Sequence, residues 1–146
     1  MSGSIARAAL DAIYAHAREG YPDEVCGFIL GGDEARRCEN RQNALHAEDP
    51  EHFPRDARTA YNLGAKDLFF LDKSLRSPKP VRIIYHSHVE VGAYFSDEDS
   101  RAAAPDGELL YPVDYLVVDV SKDGVRGAKL FRFEGGRFVE VESYGP

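Results

Sequence analysis

Tryptophan is absent from this 146-residue sequence, methionine occurs once and cysteine only twice. Two cysteines do not make a disulfide scaffold, and no Cys-x-x-Cys pair is present for structural zinc or a redox motif. A reducing cytoplasm is therefore the expected setting. No apolar run is long enough to span a membrane. The opening stretch MSGSIARAALDAIYAHAREG, interrupted by Arg7, Asp11, Arg18 and Glu19, does not read as a signal peptide. A basic face is lacking too: 18 Lys and Arg against 25 Asp and Glu leave a net charge of −7, which argues against a general nucleic-acid binder. Repeats, low-complexity segments and flexible linkers are missing, so one domain over residues 1–146 is expected. Against these absences stand 43% apolar and 11% aromatic residues, enough to build a core.

Residues 4–19 carry Ile5, Ala9, Ala12, Ile13, His16 and Ala17 at helical spacing, a buried stripe stopped by Gly20 and Pro22. VCGFILGG (25–32) reads as a buried strand, Gly31-Gly32-Asp33 as a turn, and ARRCENRQNAL as the returning strand of a hairpin. Residues 46–58 read as loop, AYNLG as a short strand and AKDLFFLDKSLRS as a helix ended by Ser77-Pro78. VRIIYHSH (81–88) is β-rich. Ser96 is placed as the N-cap of a short helix with Asp97, Glu98 and Asp99 in its first turn, closed by Pro105. VDYLVVDV, AKLFRFE and RFVEVES follow as strands, separated by turns at Lys122-Asp123-Gly124 and Gly135-Gly136. Helices interleave early and strands dominate late, which predicts an α/β sandwich with a mixed sheet.

His86 and His88 are two residues apart, so on a strand both imidazoles leave one face while Ser87 leaves the other. Such a pair is half of a tetrahedral zinc site, and it equally suits a strand end with two surface histidines. A helix starting at Ser96 puts Asp99 at its third position, bent back towards the N-terminus, where it can complete a His₂Asp set. Acids in a first turn are also favoured without any metal. The Ser96 hydroxyl can cap the helix and still donate its own proton to an oxyanion. A water activated by zinc needs a general base, and from the residues alone Glu24 is one acid among many.

Taken together, Glu24, then His86-Ser87-His88, seven residues, Ser96, two residues and Asp99 resemble the JAMM (MPN+) metalloprotease motif, E…H-x-H-x₇-S-x₂-D. HAREGYPDEVCGFILGG is similar to that family's first helix and the strand opening with its glutamate. The resemblance implies an αβα fold around a mixed, mostly antiparallel sheet, related to that of the deaminases. It implies one zinc per chain on His86, His88 and Asp99, Glu24 as general acid/base and Ser96 as oxyanion support. It also implies hydrolysis after the C-terminal glycine of a ubiquitin-like or sulfur-carrier protein with a Gly-Gly tail. The short chain looks like the compact prokaryotic members, several of which release a C-terminal cysteine or short extension. The family often has proline where this chain has Val89 and Phe95, which predicts a less rigid loop.

Two other functions fit less well. A nucleobase deaminase needs H-x-E with a later P-C-x-x-C, and here both cysteines precede the histidines. A non-catalytic module of the broader family would have to leave an intact site idle. Cys26 and Cys38 face each other across the predicted hairpin and are expected as reduced thiols. His16 is expected as a satisfied core histidine, His46 and His52 as solvated, and Phe69-Phe70 as core. Glu90 after His88 does not make the helical H-E-x-x-H pattern. Tyr94 and Phe95 either contact substrate or pin the loop.

Overall fold

A computed structural model describes residues 4–146; residues 1–3, the start of the stretch read as carrying no signal peptide, lie outside the described residues. Ten elements follow in order: α1 (Arg7–Gly20), β1 (Cys26–Leu30), β2 (Ala35–Cys38), α2 (Gln42–Glu48), α3 (Ala65–Ser74), β3 (Val81–Val89), α4 (Asp97–Ala103), β4 (Asp114–Ser121), β5 (Gly124–Glu134) and β6 (Arg137–Tyr144). The strands form one six-stranded sheet in the order β2-β1-β3-β4-β5-β6. Only β3 and β4 run parallel, joined through α4, and the other pairings are antiparallel. This is the mixed, mostly antiparallel α/β sandwich expected from the sequence. Among the described residues no helix is long and apolar enough to cross a membrane.

Alternation along the strands divides the core between the two faces of the sheet. Leu10, Ile13, Tyr14 and Ala17 of α1 pack on one face against Ile29, Ile83, Tyr85, Leu116 and Val118. The other face takes Phe28, Ile84 and Tyr115, covered by Leu71 of α3, Ala103 of α4 and the half-buried Phe95 and Phe138. The parity of β3 therefore sends Ile83, Tyr85 and Ser87 to the α1 side and Ile84, His86 and His88 to the α3/α4 side.

Several expectations are corrected in detail. Helix α1 begins at Arg7, with Ile5 buried just ahead of it. The returning hairpin strand ends at Cys38 instead of running on to Leu45, and Gln42–Glu48 is helical. Asn40 diverts the chain: its Oδ1 accepts from Gln42 N at 3.0 Å, and its Nδ2 donates to Glu24 O at 2.9 Å and Ala60 O at 3.1 Å. Such an Asx side chain offers the backbone an alternative to the ladder. AYNLG contributes only an isolated bridge, Asn40–Leu63. Phe70 stacks on Phe28 and carries the Arg36 guanidinium 3.9 Å over its ring, but Phe69 is 69% exposed and is not core. His46 is half-buried in α2 and bonds the Phe53 carbonyl at 2.7 Å, whereas His52 is exposed beside Asp49. Cys26 and Cys38 are directly opposed in the β1–β2 ladder, both buried and both free.

Candidate active site

The end of β3 holds the centre of the site. His86 is fully buried, its ring stacked on Tyr61 with centroids 4.4 Å apart, and His88 is 4% exposed. Both Nε2 atoms lie 3.2 Å from the same oxygen, Oδ2 of Asp99. Helix geometry explains how that oxygen arrives there. Ser96 and Asp99 form a complete capping box: Ser96 Oγ accepts from Asp99 N at 3.0 Å, and Asp99 Oδ2 accepts from Ser96 N at 3.1 Å. The bond that caps α4 thus aims the carboxylate at the two imidazoles.

One candidate ligand atom from each of His86, His88 and Asp99 lies within 4.8 Å of the others, a set that can hold a metal ion. The donor chemistry fits zinc, which takes imidazole nitrogen and carboxylate oxygen. His88 Nδ1 lies 3.1 Å from the Gly92 carbonyl, a contact that puts the proton on Nδ1 and leaves Nε2 free to ligate. Burial tends to raise the Asp99 pKa. The charges of His86 and His88 and their hydrogen bonds overcome it and hold the carboxyl well below the usual carboxylate range.

Glu24 comes from just ahead of β1, the strand beside β3. Cys26 pairs with His86 across the β1–β3 ladder, and continuing that register two residues brings Glu24 level with His88 on the same face. Ser87 fixes this alignment from the opposite face: its Oγ accepts from Val25 N at 2.8 Å, and its N–H donates to Val25 O at 3.0 Å. Glu24 is itself 7% exposed. Burial foremost, and then the Asp99 charge, push its carboxyl up to about 9, with Arg55 opposing them. Strongly perturbed acids of this kind concentrate at catalytic sites.

Glu24, His88, Ser96 and Asp99 line one cleft of about 630 Å³. The structure therefore brings together all five residues of the sequence motif, His86 lying fully buried beside the cleft against Asp99. It also recruits residues that the motif did not reveal: Ser87, Asn40, Tyr61 and the Gly92 carbonyl. The HSH spacing made Ser87 visible only as the residue facing away, the contacts of Asn40 and Tyr61 bridge distant parts of the chain, and the Gly92 carbonyl reaches His88 through a loop with no regular spacing. Of the two loop aromatics, Phe95 is the pin, 4.5 Å from the Phe138 centroid and 5.4 Å from Tyr115. Tyr94 is half-exposed beside His88 and lines the cleft.

Comparisons with known proteins bear on the family and the fold. CysO-cysteine peptidase of Mycobacterium tuberculosis is 32% identical over 103 residues, covering 69% of this chain and 66% of that protein. This chain thus spans just under two thirds of that relative's length. Desampylase of Haloferax volcanii is 29% identical over 126 residues, 83% of this chain and 81% of that protein. A solution structure of a Desulfitobacterium hafniense protein shares the fold with a TM-score of 0.65 at 20% identity, over 93% of this chain and 87% of that one. A second, from Salinibacter ruber, matches with a TM-score of 0.58 at 24% identity, over 97% and 90%. The family model describing prokaryotic homologues of the JAB domain matches residues 6–132, from the entry to α1 through most of β5. The chain belongs to the prokaryotic JAB-domain family.

Proposed function

We propose that this chain, acting as one domain over residues 1–146, is a zinc-dependent peptidase or isopeptidase of the cytoplasm. It cuts after the C-terminal glycine of a ubiquitin-like or sulfur-carrier protein. The observation that carries the proposal is the meeting of the buried Glu24 with His88 and Asp99 in one cleft, where His86 completes a set able to hold a metal. The names of the two curated relatives, a peptidase and a desampylase, support the reaction class.

His86, His88 and Asp99 would hold the zinc, which supplies a Lewis acid that lowers the pKa of water and polarises a scissile carbonyl. Glu24 takes the proton of the attacking water on its carboxylate and hands it to the leaving nitrogen. Burial and the Asp99 charge raise its proton affinity, which suits it to carry a proton to the leaving nitrogen; neutralising the Asp99 charge would lower that affinity towards the carboxylate that accepts water's proton. Ser96 donates its hydroxyl proton to the developing oxyanion while a lone pair keeps accepting from Asp99 N, so capping and catalysis coexist. An extended tail ending in Gly-Gly suits the cleft because glycine lets the backbone approach closely.

The test is metal content together with cleavage of a carrier fusion carrying one residue after Gly-Gly, by wild type and by Glu24→Gln. Zinc near one per chain and a loss of turnover of a hundredfold or so are expected, within the range for a general base. A mutant that cuts as fast as wild type sinks the role of Glu24. Stoichiometric binding of the carrier without cleavage would return the chain to the non-catalytic alternative.

A further inference from the structure

The cleft holds two cations that the proposed chemistry does not use. Arg55 and Arg58 lie on the segment between α2 and α3 and line the same cavity as Glu24 and Asp99. Neither forms an ion pair among the described residues, whereas Arg36, Arg37, Arg41, Arg82, Arg126 and Arg132 each face a carboxylate. Both side chains are exposed at the cleft, so in a chain of net charge −7 these two guanidinium groups are open to an anionic group of a bound partner.

Their segment is also built onto the general acid/base. Glu24 N donates to Ala57 O at 2.7 Å, Gln42 Nε2 donates to Arg55 O at 2.8 Å, and Ala57 N donates to Asn43 Oδ1 at 2.8 Å. Arg58 N is fixed in turn by Asp56 Oδ1 at 3.0 Å. The arginines thus ride on backbone anchored to the residue that delivers a proton to the leaving amine. Arg55 is close enough to Glu24 to pull its proton affinity down.

Hydrolysis breaks the C–N bond, adds the hydroxyl of water to the glycyl carbon and moves water's proton through Glu24 to the leaving nitrogen; no other reactant is consumed. A leaving residue joined through its α-nitrogen carries its carboxylate one carbon from that nitrogen. A lysine joined through Nε presents four uncharged methylenes there instead. Guanidinium groups recognise carboxylates through paired, charge-assisted hydrogen bonds. We infer that Arg55 and Arg58 form a subsite for the α-carboxylate of the leaving residue, so that the chain prefers carrier tails extended by a single terminal amino acid over isopeptide conjugates. The inference rests on the proposed peptidase function and specifies its leaving group.

The test uses the zinc-loaded enzyme and a ubiquitin-like carrier whose Gly-Gly end is extended by one alanine. The substrate is prepared with a free C-terminus and with a C-terminal amide, beside a conjugate to lysine Nε. Wild type is expected to favour the free acid over the amide by at least tenfold or so in kcat/KM, the lower range for a hydrogen bond to a charged group. In Arg55→Gln/Arg58→Gln the ratio should collapse to within about twofold, most of the change in KM. An acid-to-amide ratio near one in wild type overturns the subsite, as does a ratio that survives in the variant. Equal losses on both substrates assign the arginines to an acidic side chain in the carrier tail and overturn it as well. A lysine conjugate cut as efficiently as the free acid has the same consequence. Cleavage of no substrate at all refutes the peptidase function itself, and the subsite with it.

Discussion

Replacing Glu24 with glutamine is expected to make the metal-free protein more stable while removing its chemistry. In the fold the Glu24 carboxyl releases its proton at about 9, against an ordinary 4.5, chiefly because burial disfavours the charged form and Asp99 adds repulsion. An acid whose folded pKa is raised binds more protons folded than unfolded. Stability is therefore highest below about pH 4.5 and declines as pH climbs to about 9. At pH 7 the unfolded carboxyl has gained the free energy of ionisation across roughly 2.5 units, about 3 kcal/mol at most, that the folded one forgoes. Glutamine has similar size and cannot ionise, so it removes that penalty. For a chain of this length each kcal/mol moves Tm by about 2–4 °C, which puts the gain at roughly 5–10 °C. Thermal unfolding of both proteins, stripped of metal with a chelator and scanned from pH 4 to pH 9, measures it. The difference between mutant and wild type should be near zero at the acid end and widen steadily to alkaline pH. A difference that stays constant with pH would show that Glu24 is not held protonated in the fold, and the account of its proton affinity would fail.

Three further substitutions test other joints of the site. Ser87→Ala leaves Val25 N buried without its side-chain acceptor; it should cost about 1–3 kcal/mol in denaturant unfolding and lower kcat more than it raises KM, because Glu24 loses its alignment. Ser96→Ala removes the α4 cap, about 1 kcal/mol, and the proposed oxyanion donor, about a hundredfold in kcat; Ser96→Thr should recover the stability and part of the rate. Gly27→Ala would set a Cβ 2.4 Å from the Tyr85 ring, whose hydroxyl is bonded to His16 at 2.7 Å. Overpacking of about 1–3 kcal/mol should appear as a lower Tm with zinc content unchanged.

Much of the site was legible because its residues are organised by short-range rules. Period-two alternation put His86 and His88 on one face, and the capping box bent Asp99 back towards them; both follow from local spacing. Glu24 was different in kind. His86, His88 and Asp99 lie more than sixty residues away from it, and only the register of β1 on β3, locked by Ser87 and Val25, brings it level with His88. No local pattern carries that register, so a family motif was needed to single Glu24 out from other acids. The region after Cys38 departs from its strand-like pattern for a related reason. Its helix and loop are shaped by Asn40, whose side chain bonds Glu24 O and Ala60 O across 16 and 20 residues. Hydrophobicity alone places Phe69 in the core, whereas α3 turns Leu71 inward and leaves Phe69 outside.

The loop from β3 to α4 shows how a local departure can be offset by tertiary contacts. Proline restricts a chain by fixing φ, and Val89 and Phe95 do not. Here Glu90 takes a left-handed φ of 66°, uncommon for a residue with a side chain. Its Oε2 accepts from the Tyr21 hydroxyl at 2.6 Å and from Lys122 N at 2.9 Å, and its own N–H donates to Val120 O at 2.9 Å. At the far end Phe95 is wedged among Tyr115, Phe131 and Phe138. Between these anchors the Gly92 carbonyl meets His88 Nδ1, so the restraints on the loop are transmitted to a candidate ligand. Glu90→Ala should therefore weaken zinc binding by about tenfold, the low end for a lost outer-shell partner. Competition with a chelating dye reads this directly, and Phe95→Leu, which keeps an apolar wedge, should lie between mutant and wild type. Unchanged affinity in Glu90→Ala would mean that the loop needs no anchor to orient His88.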